Sequence, residues 1–301
     1  MKLFLPGLIL LFYFASTARL LAQGNGPAPQ GARAQGLGGA ATTLSGELWA
    51  AANNAAGLGS LSRPTAGAYL ENRYLLPGLN VAAAAVALPL GTLEPATAGR
   101  AARAARGVLA LAGQRFGGTL YNEVRVGAAY GYRLGVINIG GRLDMLQVSL
   151  QELGSRRAVV GSLGGQADIL PGHLTVGAYL YNLGQARLAS YQDERVPTVL
   201  RVGLAYRPSR QVLLLAEAEK DVEHAAGLRA GVEYLPAPVV ALRLGYASLS
   251  QQASLGVGVQ TGGFHFDYAA GYHTVLGVSQ FMSVSWQWGK KLAAEKQAGA
   301  E

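Results

Sequence analysis

From about residue 65 to residue 289 the chain alternates, residue by residue, between two kinds of side chain. In YNEVRVGAAYGYR (121–133) one set is Glu123, Arg125, Gly127, Ala129, Gly131 and Arg133, and the other is Val124, Val126, Ala128, Tyr130 and Tyr132. VLRVGLAY (199–206) sets Arg201, Gly203 and Ala205 against Leu200, Val202, Leu204 and Tyr206. A period of two places successive side chains on opposite faces of a strand. Fourteen segments read this way: 65–72, 78–90, 107–116, 121–133, 136–148, 157–168, 173–183, 198–206, 210–221, 226–235, 239–248, 252–261, 263–272 and 279–289. The longer connectors between them are 91–106 and 184–197.

A soluble sandwich alternates as well, so the composition of each face has to decide. Only 14% of the residues are charged, where about a quarter is usual in soluble domains. The polar face carries Gly and acid–base pairs instead of the Lys, Thr and Ser of a wetted sheet. Of 25 basic residues five are Lys, and Lys220 alone of these falls in a candidate strand. Aromatics gather where the apolar face reaches a strand end: Tyr130, Tyr132, Tyr206, Tyr234, Tyr246, Trp286 and Trp288. Amphipathic rings suit a membrane interface. Beyond the first residues, the longest apolar run is VAAAAVALPL (81–90), too short to span as a helix. A spanning chain of this kind must close its strands into a barrel. The fold class expected is all-β: a transmembrane antiparallel β-barrel of about 14 strands with a short N-terminal plug inside. Face parity assigns Arg125, Arg142, Asp144, Glu217, Glu219, Arg229, Glu233, Arg243 and Asp267 to the lumen. Arg201 and Arg229 flank the strand of Glu217 and Glu219, and Glu233 lies beside the strand of Arg243. Such pairing lowers the cost of charge in a narrow interior.

The chain divides into four parts. Residues 1–22 resemble a secretory signal peptide, with Lys2 before the apolar run LFLPGLILLFYFASTA and a small-residue exit at Ala22. Residues 23–62 are linker and plug, 63–289 the barrel, and 290–301 a C-terminal tail. No Cys is present, so disulfides and Cys-based metal sites are excluded. A barrel of this size is too wide for its wall side chains to fill, least of all with Gly pointing inward. The segment 31–62, rich in Gly and Ala, is suited to pack against such a wall. Thr43 or Ser45 is expected to cap a short helix in SGELWAAANN, with Trp49 as apolar anchor. Trp49, Asn53, Asn54 and Gly57 are the expected plug and gate residues.

GARAQGLGGA (31–40) followed by WAAANNAAGLG (49–59) resembles the paired N-terminal signature of the PorV/PorQ-like outer-membrane proteins of Bacteroidota, relatives of the FadL long-chain fatty-acid transporters. The usual Asn-Pro-Ala-Gly-Leu box reads Asn54, Ala55, Ala56, Gly57, Leu58 here, without its Pro. RFGGTLYNE (115–123), DERVPTVLRVGLAY (193–206), LLAEAEKD (214–221), GVEY (231–234), LRLGY (242–246) and FDYA (266–269) extend the resemblance over about 31–289. It implies a fourteen-stranded FadL-like barrel in the outer membrane with an internal hatch. It implies two functions: passage of hydrophobic molecules or small solutes, or service to the type IX secretion system by binding cargo or partner proteins. A purely structural envelope barrel is the third reading.

Other chemistry finds little support. His265, Asp267 and Ser283 or Ser285 could be drawn as a hydrolase triad, but polar residues at i and i+2 are what any lumen face supplies, so no enzyme and no cofactor is expected. Gly36, Gly38 and Gly39 lack the strand and the Lys of a nucleotide loop. Arg100, Arg103 and Arg106, spaced by three, would suit lipopolysaccharide phosphates if their connector is extracellular. The net charge of +8 is spread over the strands, which argues against nucleic acid. The expected partners are outer-membrane lipid and lipopolysaccharide, with hydrophobic small molecules or secretion-system proteins beside them.

Overall fold

A computed structural model describes residues 26–289, apart from 92, 95–102, 105, 190–193 and 223–224. The signal-peptide reading of 1–22 and the tail reading of 290–301 lie outside the described residues, as does Arg100. Fourteen strands make one closed antiparallel barrel. They are β1 (Thr65–Asn72), β2 (Asn80–Pro89), β3 (Val108–Gly117), β4 (Tyr121–Leu134), β5 (Ile137–Leu150), β6 (Gly154–Leu170) and β7 (Leu174–Tyr181). They continue with β8 (Val199–Ser209), β9 (Val212–Asp221), β10 (Gly227–Ala237), β11 (Val240–Ala247), β12 (Gln252–Thr261), β13 (Phe264–His273) and β14 (Gly277–Gln287). Each strand pairs with its sequence neighbours, and β1 closes the ring on β14 with Thr65 opposite Gln287. Closure leaves no edge strand to pair with another chain.

The barrel is inside-out relative to a soluble sheet. Leu143 and Val159 are 65% and 69% exposed on the outer wall, whereas their sequence neighbours Asp144 and Val160 are 3% and 0% exposed inside. The same alternation runs through β9, with Leu213, Leu215, Glu217, Glu219 and Asp221 buried and the residues between them exposed. Leu, Val and Ile cover the outer band, and Phe264 stacks on both Phe266 and Trp286 near one rim. An apolar exterior around a charged interior is the arrangement a bilayer requires.

Strand parity gives the barrel two unlike ends. One end, here the terminal end, holds the start of β1 and the finish of β14. Its turns 135–136, 171–173, 210–211, 238–239 and 262–263 are tight, and the connector 90–107 is the exception. The other, the loop end, carries 73–79, 118–120, 151–153, 182–198, 222–226, 248–251 and 274–276. The two longer connectors therefore lie at opposite ends. Thr65 pairs with Ala87, so β2 runs down to the terminal end, where the connector to β3 leaves it and returns. Each connector holds a two-stranded ribbon, Leu93–Glu94 with Arg103–Ala104 and Arg187–Ala189 with Glu194–Arg195.

Candidate functional site

The lumen is filled by the chain's own N-terminal segment. It folds as two short helices, α1 (Ala32–Gly36) and α2 (Ala50–Asn53), and a 3-10 turn over Ala55–Ser60. The expected helix start moves: α2 begins at Ala50, Trp49 occupies the N-cap position, and no side chain caps it. Thr43 and Ser45 lie too far upstream to reach its free N–H groups, and Thr43 packs against Gly177 and Gly203 of the wall instead. Asn53 ties the segment to its own entry strand, accepting from the Gln30 N–H and donating to the Gln30 carbonyl, both at 2.8 Å. Asn54 donates to the Thr42 carbonyl at 2.7 Å and caps the 3-10 turn by accepting from the Ala56 N–H. Trp49 is buried beneath Tyr69, with ring centroids 5.7 Å apart. The Gly57 carbonyl accepts from the Gly46 N–H at 2.9 Å, closing the intervening loop.

What seats this segment is a belt of inward glycines. A Cβ on Gly231 would stand 2.7 Å from the Leu37 carbonyl oxygen, and one on Gly131 would stand 2.7 Å from the Leu58 Cβ. Gly140, Gly164, Gly177 and Gly245 are likewise pressed by the backbone or Asn54 of the plug. Gly38, at φ 67°, is the reciprocal case, since any side chain there would run into the Tyr246 backbone. On the opposite arc, Ala83, Ala85, Ala87, Ala110 and Ala112 form a small-residue wall against Trp49, Ala51, Ala55 and Leu58. Seat and plug approach at backbone distance, leaving no room for a side chain between them at these glycines.

Two ion networks lie on either side of the belt. Toward the terminal end, Arg33 of the plug bonds Glu47 at 2.9 Å and Glu233 at 2.6 Å; Arg243 bridges Glu233 and Asp267, each at 2.7 Å. This clamp joins plug to wall. Burial works to lower the Arg33 guanidinium, but Glu233 and Glu47 outweigh it and hold it above its ordinary value. Burial pushes the Glu47 carboxyl up, against the opposing pull of Arg33. Toward the loop end, Arg201 and Arg229 enclose Glu217 and Glu219, with Arg229 contacts of 3.1 Å and 2.8 Å. Arg142 grips Asp144 at 2.6 Å and donates to the Ala51 carbonyl, and Arg125 pairs with Glu123 at 2.9 Å. Arg201 also donates to the Pro27 carbonyl and Gln30 to Gln114, so the segment leading into the plug lies on this side.

A cavity and a packed apolar cluster flank the plug. A cavity of about 230 Å³ at the terminal end is lined by the clamp residues with His265, Gln260, Trp49 and Val259. Charged, neutral polar and apolar side chains all line it. At the loop end, Leu146, Val160, Tyr179, Tyr181 and Val199 of the wall meet Leu188 and Val196 of the 182–198 loop in a buried apolar cluster. Asn182 holds that loop inward, donating to the Val196 carbonyl at 2.6 Å and accepting from the Ala186 N–H.

The structure thus places Arg125, Arg142, Asp144, Glu217, Glu219, Arg229, Glu233, Arg243 and Asp267 on the inner face, and Trp49, Asn53, Asn54 and Gly57 inside the plug. The candidate triad residues have other engagements: Asp267 accepts from Arg243, and Ser283 accepts from the Ala32 N–H. Sequence reasoning missed Arg33 and Glu47, because no strand parity acts on a segment without regular structure. It also missed Gln166, which donates to the Thr42 and Leu44 carbonyls. The one usable signal was Arg33 itself, a lone charge in a run of small residues.

No protein-family model matches the chain, and no curated protein matches it. Among solved structures it is similar to the CymD monoaromatic hydrocarbon channel, with a TM-score of 0.63 at 13% identity over 88% of this chain and 98% of that one. It is similar to the Pseudomonas putida toluene transporter TodX, with a TM-score of 0.60 at 11% identity over 89% of this chain and 100% of that one. A Pseudomonas aeruginosa FadL homologue gives a TM-score of 0.57 at 10% identity, covering 83% and 96%. At these identities the likeness is one of fold alone.

Proposed function

We propose that the protein is an outer-membrane barrel that takes up small hydrophobic molecules and is not an open pore. The observation that carries this reading is the unlike filling of the lumen. A close-packed plug shuts the aqueous path, while apolar side chains line the interior at the loop end, beneath the 182–198 loop. Beside the ion networks of the loop end, the packed cluster of Leu146, Val160, Tyr181, Leu188 and Val196 is the apolar contact that a hydrophobic molecule parting these side chains would gain by leaving water. The neighbours of this fold are named for monoaromatic hydrocarbons and toluene, which are molecules of that class. On this reading the loop end faces outward and the terminal end faces the periplasm. Trp49, Asn53, Asn54 and Gly57 hold the gate, and the ion networks anchor it.

The test is uptake of a radiolabelled monoaromatic hydrocarbon into proteoliposomes, alongside planar-bilayer conductance. The full chain should take up hydrocarbon and stay electrically silent, and removal of residues 31–62 should open a conductance. Silence in both assays after that deletion would sink the plug reading.

A second reading is favoured by a different observation. The loop end is studded with exposed apolar side chains, among them Leu75 at 55%, Leu120 at 73%, Leu153 at 82%, Val222 at 70% and Val275 at 76%. Exposed apolar clusters mark interaction sites. Such a crown suits a protein partner docked on the barrel's outward end, as an assembly role in secretion would require. Replacing Leu120, Leu153, Val222 and Val275 with Ser separates the two readings: hydrocarbon uptake survives under the first, and partner association is lost under the second.

A further inference from the structure

Among the described residues, the charge on the outward face of the strands is of one sign and lies near one end. Among the described residues, the outward-facing positions of the fourteen strands include no Asp or Glu. They include Arg115 on β3, Arg157 on β6 and Lys220 on β9, each within a few residues of the loop end. Arg115 and Arg157 belong to one transverse row. Arg115 pairs with Val124, Val124 with Gln147, and Gln147 with Arg157. Three strand spacings separate the two arginines, about 14 Å. Both are exposed. Arg157 is oriented along the row by Gln147, whose Oε1 accepts from its Nε at 2.8 Å. Directly toward the middle of the barrel the same face becomes purely apolar, with Leu111, Val126, Met145 and Val159 all exposed.

A guanidinium facing lipid is tolerated at the interface and not at depth. The row therefore sits at the height of the headgroups. A cation there, with no outward carboxylate beside it, needs an anion from the membrane. A guanidinium fork matches two phosphate oxygens, and its donors beyond that contact remain for a second acceptor. Resting on the outward orientation of the loop end proposed above, we infer that the β3–β6 face of that rim, through Arg115 and Arg157 with Gln147 as the positioning residue, binds the phosphates of a phosphorylated glycolipid of the outer leaflet. The connector bearing Arg103 and Arg106 has no part in this, since it lies at the terminal end. The wall offers the lipid what a soluble phosphate cannot use: an acyl-covering surface of Leu111, Val126, Met145 and Val159 continuous with the two cations.

The experiment uses the full chain in detergent, exchanged into nanodiscs of phosphatidylcholine doped with diphosphorylated lipid A or with its dephosphorylated form. Retained lipid is measured after washing, by native mass spectrometry. The wild type should retain the phosphorylated lipid roughly fivefold or more over the dephosphorylated one, given about 1 kcal/mol for each cation near an anionic surface. Arg115→Gln with Arg157→Gln should abolish that preference. Arg115→Lys with Arg157→Lys should keep part of it, and heat-modifiable mobility on gels verifies that each variant is folded. Excess inorganic phosphate should leave retention unchanged; displacement by phosphate would show a generic anion site and overturn the lipid assignment. Equal retention of the two lipids by the wild type, or an undiminished preference in the folded Gln variant, would overturn the proposal outright.

Discussion

At the scale of single residues, the glycines of the wall are positions where a methyl group has nowhere to go. Gly231 faces the Leu37 backbone, whereas its neighbour Ala230 faces lipid. Gly231→Val should lower stability by about 1–3 kcal/mol through overpacking, and Ala230→Val should stay within about 0.5 kcal/mol. Urea unfolding in lipid vesicles would read the difference, and equal effects would mean that the plug yields. Glu47 makes a pH prediction. Its folded value is raised by burial, so the folded state binds its proton more tightly than the unfolded chain does. Its contribution is full below the ordinary carboxylate range and is lost as pH rises through the raised value. Glu47→Gln should therefore be the more stable form at neutral pH and converge with wild type in acid. A wild type that gains stability over Glu47→Gln on going to neutral pH would reverse the sign and mean that attraction to Arg33 outweighs burial.

At the scale of elements, legibility followed regularity. The strands could be read because lipid on one side and a lumen on the other impose a strict period of two on every one of them. The segment 107–116 is β3, and Arg125, Glu217 and Arg243, assigned inward by parity, are buried on the inner face. The pairing of Arg229 with Glu217, and of Arg243 with Glu233, followed from strand adjacency in the same way. The plug was recognisable by composition, yet its internal geometry was not. α1 spans five residues and α2 four, too short for a 3.6-residue pattern to develop. Their shape is set by the wall they press on, through Gly231, Gln166 and Glu217, whose carboxylate accepts from the Ala41 and Thr42 N–H groups. No local signal encodes a conformation that depends on residues more than a hundred positions away. Connector length was legible too, but which end a connector serves depends on counting strands without error.

At the scale of the whole molecule, the seam between β1 and β14 joins the two ends of the barrel sequence, with eight residue pairs from Thr65–Gln287 to Asn72–Gln280. Ser283 of that final strand receives the Ala32 N–H. The glycine belt described above spans nine of the fourteen strands, from β4 to β12, and the alanine wall of β2 and β3 faces it. A socket that fits its contents at backbone distance cannot easily be filled once it is complete, since the ion pairs on both sides of the belt would have to be broken and remade. The order of synthesis points the same way: the plug is made first and every strand after it. The belt is then a mould, and the segment it encloses is the form around which the wall is cast. A chain lacking residues 31–62 should close its barrel more slowly than the intact chain, followed by the appearance of the heat-modifiable band during refolding into vesicles. Supplying 31–62 as a separate peptide should speed closure only when it is present before the last strand pairs, and equal rates with and without the segment would mean that the wall takes its shape unaided.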